Sequence, residues 1–168
     1  MATHQISIMG WNLTPDATGD DFPQRLSADA TNGLFKHLVM AFADTATNIG
    51  FDGTFTIPQN FVSTSAVIPV WTATNTVGNV VWEIGYRPIS GNDSESLDQA
   101  TYIRTASVTD AAPTAAFNRL TPSISPTDGD FAAGDTVQFF FSRNQESGVD
   151  TMVGRAYLAD LIFQYADA

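Results

Sequence analysis

No cysteine occurs in this chain, lysine occurs once, at Lys36, and charged residues make up only 15% of its 168 positions. Without cysteine there is no disulfide framework, no thiolate metal site and no thiol nucleophile, so stability must come from burial or from subunit contacts. Two histidines, His4 and His37, are the only imidazoles, and no G-x-S-x-G elbow accompanies them. An activated serine is therefore not expected. No apolar run approaches the roughly 20 residues that cross a bilayer. No basic stretch opens the chain, so a soluble product without a signal peptide, and without a membrane partner, is expected. Acidic residues number 18 against 7 basic ones, a formal net charge of -11, and the arginines are scattered. That balance repels phosphate backbones and argues against nucleic-acid binding.

What is present is an apolar fraction of 43% with 11% aromatics, enough for the core of one globular domain. Short alternating apolar segments recur between turn residues, the pattern of an all-β sandwich or barrel. In residues 80–87, Val80, Trp82, Ile84 and Tyr86 share one face while Glu83 and Arg87 share the other, because side chains alternate across a strand. Residues 136–142 place Val137, Phe139 and Phe141 inward. Residues 156–165 place Tyr157, Leu161, Phe163 and Tyr165 on one side and Leu158 and Ile162 on the other, so both faces are apolar. Further strands are predicted at 35–43, 53–57, 66–73, 102–108 and 116–120, about eight in all, the number in a jelly roll. Residues 22–34, with Pro23 and Gly33, predict at most a turn or two of helix.

Residues 1–33 are read as an extended N-terminal arm and residues 34–168 as the sandwich. The competing reading of the arm is an ordinary first strand followed by a loop.

Candidate chemistry is sparse. Glu83 with Glu146 or Asp150 makes an imaginable carboxylate pair for glycoside hydrolysis, but solvated strand faces explain Glu83 equally. Acidic loops carry Asp93, Glu95 and Asp98, the first place to look for calcium, yet no cluster matches a D-x-[DN]-x-[DN]-G loop. No enzyme activity, metal or cofactor is expected. Trp71, Trp82, Tyr86, Tyr102 and Tyr157 are available to stack on a sugar ring, but core is the default for each, Trp82 and Tyr86 by alternation and Trp71 by its place in an apolar run after Pro69-Val70. Arg143 ends one strand and Asp150 approaches the next. They form either a bidentate pair that holds the intervening loop or two unrelated solvated charges.

The runs Gly78-Asn79-Val80-Val81-Trp82-Glu83 and Gly134-Asp135-Thr136-Val137-Gln138-Phe139-Phe140-Phe141-Ser142-Arg143, with Asp150-Thr151 and the closing segment 156–165, resemble the small jelly-roll virion proteins of tailed bacteriophages. Members of that group are capsid decoration or cement proteins, and similar modules occur in head and tail fibres. The resemblance implies a jelly-roll-like antiparallel β-sandwich that is a non-enzymatic homotrimer. It further implies assembly in the host cytoplasm onto the capsid exterior, with the major capsid protein as partner. On that expectation Ile6, Ile8 and Trp11 of the arm would contact the capsid, Trp11 as an aromatic anchor. Leu158 and Ile162 would form the trimer contact. The alternative is a receptor- or glycan-binding head of a fibre, working through loops 90–99 and 122–133, where Phe131 is the sole aromatic.

Overall fold

A computed structural model describes residues 1–10, 14–15, 23–29, 36–45, 48–90 and 95–168. Among these described residues ten strands run in chain order: β1 (Thr3–Ser7), β2 (Thr14–Pro15), β3 (Gln24–Asp29), β4 (Lys36–Phe42), β5 (Ile49–Thr56), β6 (Ser63–Ala73), β7 (Asn79–Ile89), β8 (Arg104–Ala111), β9 (Thr136–Arg143) and β10 (Ala156–Ala166). Every pairing is antiparallel. One sheet, A, runs β6-β10-β4-β3, with β1 lying along the same edge of β10 as β4. The other, B, runs β2-β5-β9-β7-β8.

From β4 onward the chain passes back and forth between the sheets, with β4, β6 and β10 in sheet A and β5, β7, β8 and β9 in sheet B, β7 and β8 being neighbours in the same sheet. The segment after β8 returns to sheet A and pairs with β6 at two isolated bridges, Val67 with Ile124 and Trp71 with Leu120, beside side-chain and turn hydrogen bonds such as that of the Thr72 hydroxyl to the Asn118 carbonyl. The strand expected at 116–120 is reduced to these contacts.

The inner faces follow alternation. Val80, Trp82, Ile84 and Tyr86 of β7 and Val137, Phe139 and Phe141 of β9 are all buried. Trp82 stacks on Phe141 at 5.4 Å and meets Phe42 and Trp71 edge-on at 5.1 and 5.6 Å. Such an aromatic cluster contributes both large area and favourable ring geometry. Trp71 and Tyr86 are core residues as expected.

β10 departs from strict alternation. Leu158 pairs with Trp71 and Asp160 with Val70, so Ala159 is an extra residue, a β-bulge. The bulge reverses the parity of the strand. Leu158 therefore joins Leu161, Phe163 and Tyr165 in the core, and Tyr157 and Ile162 point away from it.

Of the segment read as an extended arm, residues 1–33, the described strands β1 and β3 pair within sheet A of the same chain. β1 pairs with β10 from Thr3 opposite Ala166 to Ser7 opposite Ile162, and β3 pairs along β4. β3 was missed because Gln24, Arg25 and Ser27 are polar and exposed; an edge strand held by backbone pairing needs no apolar stripe.

Candidate functional site

A groove of about 520 Å³ opens on the outer face of sheet B, within the size range of small-ligand sites. Its floor follows from register. Arg87, Gln138 and Thr54 lie side by side on β7, β9 and β5 and line the groove, and Asp52 lines it from the next row, where it pairs with Phe140 and Phe140 with Gly85. All six alternate with core residues, so their outward direction is dictated by the buried faces behind them.

The connection from β7 to β8 forms the wall. It folds back over the sheet, where Gln138 Nε2 donates to the Leu97 carbonyl at 2.7 Å and Arg87 Nη1 to the Thr101 carbonyl at 3.3 Å. The Ile103 amide donates to the Tyr86 carbonyl at 3.0 Å, which starts β8. These anchors bring Tyr102 down onto the sheet beside Phe140, with ring centroids 6.4 Å apart and planes 19° from parallel.

Glycine makes this approach possible. A Cβ on Gly85 would stand 2.8, 2.9 and 3.0 Å from three adjacent ring atoms of Tyr102, so the ring lies flat against the bare backbone. A Cβ on Gly50 of β5 would likewise stand 2.6 Å from Cε2 of Phe140. Tyr102 keeps 48% of its surface exposed while one face rests on Gly85. Asp52 and Asp98 add carboxylates to the groove, and Gln99 an amide.

Tyr102 was assigned to a core by default, and the structure places it on the surface. The signal available in the sequence was Gly85 in the middle of an otherwise bulky strand, which marks close approach by another group.

The other candidate residues have different surroundings. Arg143 is fully buried and forms a bidentate pair with Asp150, its Nη2 2.7 Å from Oδ1 and its Nε 3.0 Å from Oδ2. It also donates to the carbonyls of Met152 and Gly154, and Asp150 accepts the Val81 amide at 2.9 Å. Arg143 is thus the hub of loop 144–155. Ile8 is 4% exposed and packs in the core, with Ile6 against it, so neither is presented as a free anchor; Trp11 lies outside the described residues. Leu158, with no exposed surface, is held inside its own chain. Ile162 is half-buried on the outer face of sheet A, opposite Ile68 of β6.

Several loop acids have structural partners. Asp128 accepts the amides of Thr64 and Ser65 and the Ser65 hydroxyl. Asp130 accepts from the Tyr86 hydroxyl at 2.9 Å and from Arg104 at 2.7 Å. Burial, and next to it the neighbouring Asp130, push the Tyr86 phenol up from its ordinary value despite the opposing hydrogen bond from the Thr127 amide. Glu83 accepts from Asn144 at 3.1 Å. Of the calcium candidates, Asp93 lies outside the described residues, Glu95 accepts the Ser90 amide, and Asp98 lines the groove. Among the described residues no three metal-ligating side chains converge.

The fold defines a jelly-roll β-sandwich with an aromatic groove on one sheet. No protein-family model and no curated protein sequence matches the chain. Among solved structures it is similar to the K1 cleaved adhesin domain of Lys-gingipain from Porphyromonas gingivalis W83, at a TM-score of 0.53 and 11% identity, with 100% of both chains covered. It is also similar to CsCBM6-3 from Clostridium stercorarium, solved in complex with cellobiose (TM-score 0.47, 13% identity, 97% of this chain and 94% of that one). A third is the enzymatically active domain of tailspike protein 4 of bacteriophage CBA120 (0.46, 13%, 91% of this chain and 19% of that one). At 11% identity the likeness to the adhesin domain shows a shared sandwich fold and nothing more.

Proposed function

We propose that this chain is a non-enzymatic glycan-binding domain, the receptor-side alternative of the sequence reading, and that it binds through the groove on sheet B. The carrying observation is Tyr102, half exposed and laid flat on Gly85 in a groove that Gln99, Gln138, Arg87, Asp52 and Asp98 also line. A flat aromatic face with hydrogen-bonding groups at its rim suits a sugar ring, which is apolar on its faces and hydroxylated at its edges. The sugar-binding surface is then the sheet face and the 97–102 segment, beyond the loop tips first considered.

Calorimetric titration against a panel of oligosaccharides tests this, with Tyr102→Ala as control. Expected are binding by the wild-type chain, at least tenfold weaker binding by the variant, and an unchanged melting temperature. Binding that Tyr102→Ala leaves intact would remove the groove from the reading.

A second reading, the homotrimeric capsid cement bound to the major capsid protein on the virion exterior, is favoured by one surface, Ile162 beside Ile68 on sheet A. It ranks second because Ile8 and Leu158, two of its contact residues, are consumed within the monomer. Sedimentation of the purified chain and its copy number on particles distinguish the two: a trimer in hundreds of copies over the shell supports cement.

A further inference from the structure

We propose that β8 pairs antiparallel with β8 of a second copy of this chain, across a two-fold axis at Ser107, so that two copies of sheet B join into one. β8 ends sheet B, and among the described residues no strand lies along its outer edge. The groups on that edge follow from the ladder behind it. Asn144 donates its amide to the Val81 carbonyl at 2.8 Å on the β9 side of β7, and Ala112 donates to the Gly78 carbonyl at 2.9 Å on the β8 side. Hydrogen-bonded pairs in an antiparallel ladder recur at every second residue, so the even-numbered residues of β8 bond to β7. The amides and carbonyls of Thr105, Ser107 and Thr109 therefore point to the open edge, and all three residues are exposed. Edge strands are commonly blunted by lysine, proline or a bulge. β8 contains neither residue type, and its register with β7 is unbroken from Arg104 to Ala111.

The residues of β8 select its partner. With Ser107 opposite its own copy, Thr105 falls opposite Thr109, Ala106 opposite Val108 and Arg104 opposite Asp110. The two-fold thus sets a guanidinium against a carboxylate at both ends of the joined strands, a favourable cross-strand pair. Moving the axis to Ala106 or Val108 separates the charges, because Arg104 then faces Val108 or Ala112. Arg104 uses its Nε toward Asp130, and Asp110 uses Oδ2 toward the Trp71 indole, which leaves the Arg104 Nη groups and Asp110 Oδ1 for the partner copy. Ala106 and Val108, packed against the core, carry the apolar layer across the junction. Residues that face one another across the axis share a sheet face, so the axis is perpendicular to the sheet and both grooves open on the same side. The two copies of β9, the middle strand of the groove, stand five strand spacings apart, roughly 24 Å. On the glycan-binding reading above, on which this consequence rests, the pair is bivalent toward a glycan-bearing surface.

Sedimentation velocity of the full chain tests the pairing, and cysteine cross-linking tests its register. A concentration-dependent dimer is expected. Ser107→Pro removes an outward amide that β7 does not use, so it should leave the melting temperature unchanged and weaken the dimer at least tenfold. In a hydrogen-bonded antiparallel pair the two Cα atoms lie about 5.5 Å apart, a separation that a disulfide spans. Ser107→Cys, in a chain with no cysteine of its own, should therefore yield a cross-linked dimer under mild oxidation. Thr105→Cys, which faces Thr109 and not its own copy, should not. A wild-type chain that is a monomer at every concentration, or a trimer, overturns the pairing, as does a dimer that Ser107→Pro leaves intact. Equal cross-linking at positions 105 and 107 overturns the register. On a surface coated with the best-binding oligosaccharide of the panel, the wild-type chain should be retained at least tenfold longer than Ser107→Pro, while both bind the free oligosaccharide equally. Equal retention overturns the bivalent arrangement alone. No binding to any panel member removes the glycan reading and the bivalence with it, and sedimentation and cross-linking still decide the pairing.

Discussion

Tyr102 lies flat on Gly85, with three of its ring atoms within 3.0 Å of the place a Cβ would occupy. This relationship joins the β7–β8 connection to the sheet and sets the level of the groove floor. Gly85→Ala requires no unusual backbone angle, so its effect is confined to that contact. The ring must lift, which costs about 1–3 kcal/mol if the packing cannot relax. Glycan affinity is expected to fall about tenfold, a loss of roughly 1.4 kcal/mol. Titration and thermal melting of the variant measure the two separately; unchanged affinity would mean that the seat on Gly85 does not orient Tyr102.

Arg143 and Asp150 are a buried pair, with side chains 0% and 3% exposed. Arg143→Met leaves the carboxylate of Asp150 buried without its guanidinium partner, with the Val81 amide still donating to it. Removing one partner of such a pair typically costs about 3–5 kcal/mol. Urea unfolding reads the loss, and Arg143→Met combined with Asp150→Asn should recover part of it. A single-variant loss below 1 kcal/mol would show that loop 144–155 is held by other contacts.

Asp128 confers an acid-side dependence. Burial tends to raise its carboxyl, but hydrogen bonds from the Ser65 hydroxyl and from the amides of Ser65 and Thr64 outweigh this and hold it below its ordinary value of 3.8. The folded state then binds fewer protons than the unfolded one near that pH. The stabilisation is complete above 3.8 and is lost as the pH falls through the lower folded value. Asp128→Asn should flatten the decline in melting temperature below pH 4 relative to wild type. The same bonds hold Thr64 at φ 61°, a left-handed conformation disfavoured for a β-branched residue.

β1 is built into the sheet, so truncation should destabilise the domain. Ile8 is in the core, its amide donates to the Leu161 carbonyl at 2.7 Å, and Asp167 contacts both the Ala2 amide and His4. Ile8→Ala should cost about 2–5 kcal/mol, and deletion of residues 2–8 should lower the melting temperature further. A detached arm would allow the same deletion with no change in melting, which differential scanning calorimetry would reveal.

Much of the fold was legible because it is local. Alternation of Val80, Trp82, Ile84 and Tyr86 marks both a strand and its buried face, and the same holds for Val137, Phe139 and Phe141. The bulge at Ala159 was not legible, since Leu158 and Leu161 are individually compatible with either face. Nor was β3, whose polar side chains carry no periodic signal. Among the acids, Asp150 and Asp135 turn inward to meet Arg143 and the Ala132 amide, where solvent exposure is the natural expectation for acidic loops.

By itself the sequence determined an all-β sandwich, the inward faces of β7 and β9, and a chemistry without thiols. Those follow from residue type and from a period of two along the chain. Only the tertiary structure decided that β1 pairs with its own β10 and that Gly50, Phe140, Gly85 and Tyr102 meet on one surface. Contact between residues 50, 85, 102 and 140 depends on the register of three strands and on the path of one connection. Register is set by long-range pairing of buried faces, which no local stretch of sequence encodes.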